Sequence, residues 1–65
     1  MSSKDIKTML NQIGYDKSLV TVLGNNNWKI NITGECHVQE IKDMFNVVKW
    51  EYEGNKAVFY ITDGQ

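Results

Sequence analysis

Two stretches of this chain recur in the same order. Ile6-Lys7-Thr8-Met9-Leu10 matches Ile41-Lys42-Asp43-Met44-Phe45, and Ile30-Asn31-Ile32-Thr33-Gly34 resembles Phe59-Tyr60-Ile61-Thr62-Asp63-Gly64. The first pair lies where apolar residues recur at helical spacing, the second where they alternate. The 65 residues therefore read as two αββ units, 1–34 and 35–65, in a single small domain. One helix on one hairpin cannot bury its apolar face. Two such units about a pseudo-twofold axis can lay both helices on one face of a four-stranded sheet. The expected fold class is a two-layer α+β domain of order αββαββ.

The local signals place the elements. Ile6, Met9, Leu10 and Ile13 form the apolar stripe of a helix over 3–13. Ser2 with Asp5 is a capping-box variant, and Gly14 suits a left-handed C-terminal position. Residues 18–23 and 28–33 read as strands joined by Gly24-Asn25-Asn26-Asn27, which tolerate positive φ. An even-numbered loop pairs Leu23 with Trp28, Thr21 with Ile30 and Leu19 with Ile32, turning Leu19 and Leu23 inward. An odd loop would turn Val20 and Val22 inward instead; the even register is the one expected. Val38, Ile41, Met44 and Phe45 predict a second helix over 35–46, with Thr33 as N-cap and Glu35 in the first turn.

Residues 47–53 and 56–62 make the best-specified hairpin. Gly54-Asn55 is a two-residue turn signal. The register it sets pairs Trp50 with Phe59, Tyr52 with Ala57 and Val48 with Ile61, all on one face. The element order is similar to the ferredoxin-like one with its first strand moved to the end, a resemblance of architecture only. It implies a sheet order of 47–53, 57–62, 28–33, 18–23, preferred over the competing order in which the two hairpins sit side by side in chain order. The two matching strands are then expected to be central and parallel, with a right-handed crossover through helix 35–46.

Composition excludes several classes. Apolar residues are 42% and charged residues 23%, which is globular rather than disordered. No apolar run reaches the ~18 residues of a membrane span, and Met1-Ser2-Ser3-Lys4-Asp5 lacks the apolar stretch of a signal peptide. A lone cysteine makes no internal disulfide. A cytoplasmic location is expected. All seven basic residues are lysine, against eight acidic ones, for a net charge of -1. That balance argues against general binding to phosphate backbones. The wealth of Asn, Lys and Ile is typical of AT-rich genomes, such as those of phages and low-GC bacteria.

Catalytic chemistry finds little footing. Cys36, His37 and Glu40 are clustered, and a thiol near a helix N-terminus has a lowered pKa. Sequence neighbours on a helix point about 100° apart, however, so Cys36 and His37 do not face each other. Too few His and Cys residues are present for a zinc set. The glycines sit at element ends rather than in a phosphate loop. The expectation is no enzyme, no metal, no cofactor and no small-molecule substrate.

The surfaces say more. The face away from the helices is expected to carry Val20, Val22, Lys29, Asn31, Thr33, Lys49, Glu51, Val58, Tyr60 and Thr62. Strand 47–53 is guarded by Lys49, Glu51 and Glu53, whereas 18–23 carries no charge and is the other edge. Residues Leu19, Val20, Thr21, Val22 and Leu23 are thus the candidate surface for a protein partner or a homodimer. Cover from Tyr15-Asp16-Lys17 or a terminus is the competing expectation. The reading is a small non-catalytic binding protein, of the regulatory or inhibitory kind that phages and bacteria encode. The alternative is nucleic-acid binding on the open face through Lys29, Asn31, Lys49 and Tyr60.

Overall fold

The computed structural model describes residues 1–63; Gly64, part of the second sequence match, lies outside the described residues. The elements run α1 (Ser3–Gln12), β1 (Ser18–Gly24), β2 (Asn27–Thr33), α2 (Val38–Met44), β3 (Val47–Glu53) and β4 (Lys56–Thr62). The strands form one sheet of order β1-β2-β4-β3, which is the expected order.

The central pair corrects one expectation. β2 and β4 are antiparallel, with Trp28 opposite Ile61, Ile30 opposite Phe59 and Ile32 opposite Ala57. The physical reason is geometric. β4 follows β3 through a two-residue hairpin and must run opposite to it. The crossover through α2 joins β2 to β3, which are parallel to each other, so β4 between them is antiparallel to both.

Both helices cover one face. Ile6 and Leu10 of α1, Ile41 of α2 and Phe45 pack on Trp28, Ile30, Ile32, Ala57, Phe59 and Ile61. α1 starts in the expected capping box: Ser2 Oγ accepts from the Asp5 N–H, and Asp5 Oδ2 accepts from the Ser2 N–H. It ends in a Schellman arrangement, in which the Gly14 N–H donates to Asn11 O and the Tyr15 N–H to Leu10 O. Gly14 takes the positive φ of +94° that this closure needs.

α2 is shorter than expected. Thr33 remains in β2, and Glu35 lies in the connection. His37 is the N-cap residue, with extended backbone and no capping bond from its side chain. The Tyr15 hydroxyl accepts the His37 N–H instead, at 2.9 Å.

The registers differ at two bulges. In the first hairpin Val20 is opposite Ile30 and Val22 opposite Trp28, with an irregularity between Val22 and Gly24. The turn itself has two residues, Asn25 and Asn26, both at positive φ, as a type I′ turn requires. The bulge at Leu23 absorbs one residue and reverses the expected inward set. Val20 now packs against the core, and Val22 shares that face. In the second hairpin Trp50 opposes Phe59 and Tyr52 opposes Ala57, as expected. Val47 rather than Val48 opposes Ile61, because the bulge falls at Val48.

Candidate functional site

β1 is an edge strand, and its backbone phase follows from one bond. The Thr33 N–H donates to Lys17 O at 3.0 Å, in the register that sets Ser18 opposite Ile32. Alternate residues of an antiparallel strand bond to the same neighbour. Lys17, Leu19 and Thr21 therefore turn their amide and carbonyl groups toward β2. Ser18, Val20 and Val22 turn theirs to the open edge.

The start of that edge is closed. The Lys7 ammonium of α1 donates to Ser18 O at 2.6 Å, Asp16 O at 2.9 Å and Ser18 Oγ at 2.8 Å. A cation at outward carbonyls is a local defence against stray strand pairing. It stops at Ser18. Beyond it Leu19 is 61% exposed, Val22 63% and Leu23 49%. A groove of about 320 Å³ runs beside this stretch, lined by Ser3, Lys4, Lys7, Ser18, Leu19 and Val20. Sequence reasoning missed Lys7 because its reach across to β1 is a tertiary contact, set nine to eleven residues along the chain.

The predicted edge residues are together, but not all as expected. Val20 is half-buried rather than turned outward. Leu19 and Thr21 lie on the face away from the helices. The opposite edge is blunted by the bulge at Val48, which is 69% exposed, and by Lys49, Glu51 and Glu53.

The open face carries a cross-strand row of Thr21, Lys29, Tyr60 and Lys49. Lys29 Nζ is 5.9 Å and Lys49 Nζ 5.6 Å from the Tyr60 ring centre, within cation–π range. Among the described residues neither lysine pairs with a carboxylate. The next row holds Leu19, Asn31, Val58 and Glu51. Asn31 Oδ1 is enclosed there without a hydrogen-bond donor among the described residues. Val58, although on this face, is buried.

The Cys36 cluster is organised around Tyr15. Tyr15 OH donates to Glu40 Oε1 at 2.7 Å while accepting from the His37 amide. Burial, more than these bonds, pushes the Tyr15 phenol up to about 12. Cys36 precedes α2 and packs against the core. Burial raises its thiol pKa, against the opposing effect of the Tyr15 hydroxyl. The expected lowering is reversed: Cys36 lies outside the helix, and burial together with the Glu40 charge raises the thiol. The His37 imidazole points to solvent and lies 3.9 Å from Glu35. Among the described residues no three His, Cys, Asp or Glu side chains are grouped to hold a metal, and no helix is long and apolar enough to cross a membrane.

Comparison with protein-family models, curated proteins and solved structures finds no match. The functional reading therefore stands on the chemistry of these surfaces.

Proposed function

We propose that the chain is a small protein-binding module acting through the β1 edge, in a regulatory or inhibitory role without catalysis of its own. One observation carries this reading. The outward amide and carbonyl groups of Val20 and Val22 lack a strand neighbour, while exposed Leu19, Val22 and Leu23 surround them. An extended segment laid beside β1 would satisfy the backbone groups and cover the apolar side chains together. The β3 edge also exposes Val48 and Tyr52, but a bulge and the charges of Lys49, Glu51 and Glu53 interrupt it.

The test is photo-crosslinking in the native host cells. A photoreactive residue at Leu19 is expected to give a defined protein adduct, and the same residue at Val48 none. Val22→Pro removes one outward N–H without touching the β2 ladder, and should abolish the adduct. Equal labelling from positions 19 and 48, or none from either, would refute the reading.

A second reading is favoured by the two lysines converging on Tyr60. This row offers a ring and two cations to a single-stranded nucleic acid. Glu51 in the adjacent row opposes it. Fluorescence anisotropy with a labelled oligonucleotide at low salt decides: binding that Tyr60→Ala weakens supports the row, and no binding removes it.

A further inference from the structure

We propose that the occupant of the β1 edge is β1 of a second copy of this chain, the two sheets joining into one of eight strands. The inference rests on the edge being the interaction surface, and names its partner.

Leu19-Val20-Thr21-Val22-Leu23 reads the same in both directions. Two antiparallel copies related by a twofold axis at Thr21 set Leu19 against Leu23, Val20 against Val22, and Thr21 against itself. The backbone phase agrees with this register. Val20 and Val22 hold the outward groups, so each Val20–Val22 pair can exchange two hydrogen bonds across the axis.

The free part of the edge has the same centre. Lys7 occupies the carbonyl of Ser18 on one side, and the bulge at Leu23 ends the regular ladder on the other. Val20 to Val22 remains, and its middle is Thr21. Shape and charge also fit. The groove beside Val20 would receive the exposed Val22 of the copy. No charged residue lies between Ser18 and Leu23. In this register Ser18 is six residues along the strand from its own copy, so the two Lys7 ammonium groups stand ~20 Å apart, beyond the ~8–10 Å screening length.

Area sets the strength. A standard interface of about 800 Å² per partner would take near a fifth of the 4189 Å² surface. An edge of five residues offers less, so the dimer is of the weak, concentration-dependent class.

Sedimentation over about 1 µM to 1 mM tests this. A reversible monomer–dimer equilibrium is expected. Val22→Lys should weaken it at least ~10-fold, with unchanged circular dichroism, and Val48→Lys should leave it unaltered. In a Cys36→Ser background, Thr21→Cys should oxidise to a covalent dimer, since residues facing across the axis in a non-hydrogen-bonded pair come close. A monomer at the highest concentration, a dimer indifferent to Val22→Lys, or a dimer that Thr21→Cys fails to link would each overturn the proposal. The crosslinking from Leu19 separates this failure from failure of the edge itself. An adduct with a different protein alone would keep the edge and reject the second copy.

Discussion

The phenol of Tyr15 ties the end of α1 to the start of α2, giving one hydrogen bond to Glu40 and accepting another from His37. Its raised pKa converts this contact into a pH dependence. The unfolded phenol loses its proton near ~10, whereas the folded one holds it to about 12. Above pH ~10 the unfolded state therefore binds fewer protons, and the stability from Tyr15 declines as pH rises toward 12. Below pH ~10 that stability is fully present. Tyr15→Phe should cost about 1 kcal/mol at neutral pH, the net worth of a modest hydrogen bond. The difference from wild type should shrink above pH ~10 and change sign toward pH 12, because raising the phenol pKa from ~10 to about 12 outweighs about 1 kcal/mol. Urea unfolding across that range checks it; a difference that stays constant with pH would show that the fold does not hold the Tyr15 phenol protonated.

The two hairpins are closed by different turns, and each turn makes its own demand on sequence. Glu53 pairs with Lys56 across Gly54-Asn55, with Gly54 at φ +64° and no positive φ at Asn55, the pattern of a type II′ turn. Gly54→Ala should destabilise by about 1–2 kcal/mol, the cost of a Cβ at left-handed φ, since no atom crowds the site. Asn26→Gly in the type I′ turn should gain a few tenths of a kcal/mol, roughly the relief of a side chain from positive φ. Thermal melts of the two variants should move in opposite directions, and a shared direction would contradict these turn assignments. The second hairpin was legible because the two-residue turn at Gly54-Asn55 sets one register, and in it Trp50 and Tyr52 alternate with Lys49, Glu51 and Glu53 while Trp50 meets Phe59. The first was not. Leu19, Val20, Val22 and Leu23 are all apolar, and alternation cannot choose between two faces that are equally greasy. The bulge at Leu23 chose, and a bulge changes register without a residue signature of its own. The start of α2 was hidden for another reason: its cap comes from Tyr15, twenty-two positions away from His37. For the candidate edge, lack of charge was readable in the sequence; the closure by Lys7 needed the packed helix.

At the scale of the whole molecule, stability is concentrated where Ile30 faces Phe59 at the centre of the sheet, both fully enclosed by the helices. A domain of this length has roughly 3–10 kcal/mol in hand at the usual ~0.05–0.15 kcal/mol per residue. Ile30→Ala, at ~2–5 kcal/mol, would consume most of it. Ile30→Val is the more informative variant, at about 0.5–1.5 kcal/mol, and should lower Tm by ~4–8 °C per kcal/mol. Association through β1 adds to this by mass action, because the folded edge binds and the unfolded chain does not. Raising the protein concentration should therefore lift Tm in wild type and in Ile30→Val alike, since the core substitution leaves the edge intact. Val22→Lys should keep the low-concentration Tm and lose the rise. Calorimetry on the three proteins at low and high concentration distinguishes the cases. A Tm independent of concentration in all three would mean that the core alone sustains the fold, and that the free edge of β1 contributes nothing to stability by self-pairing.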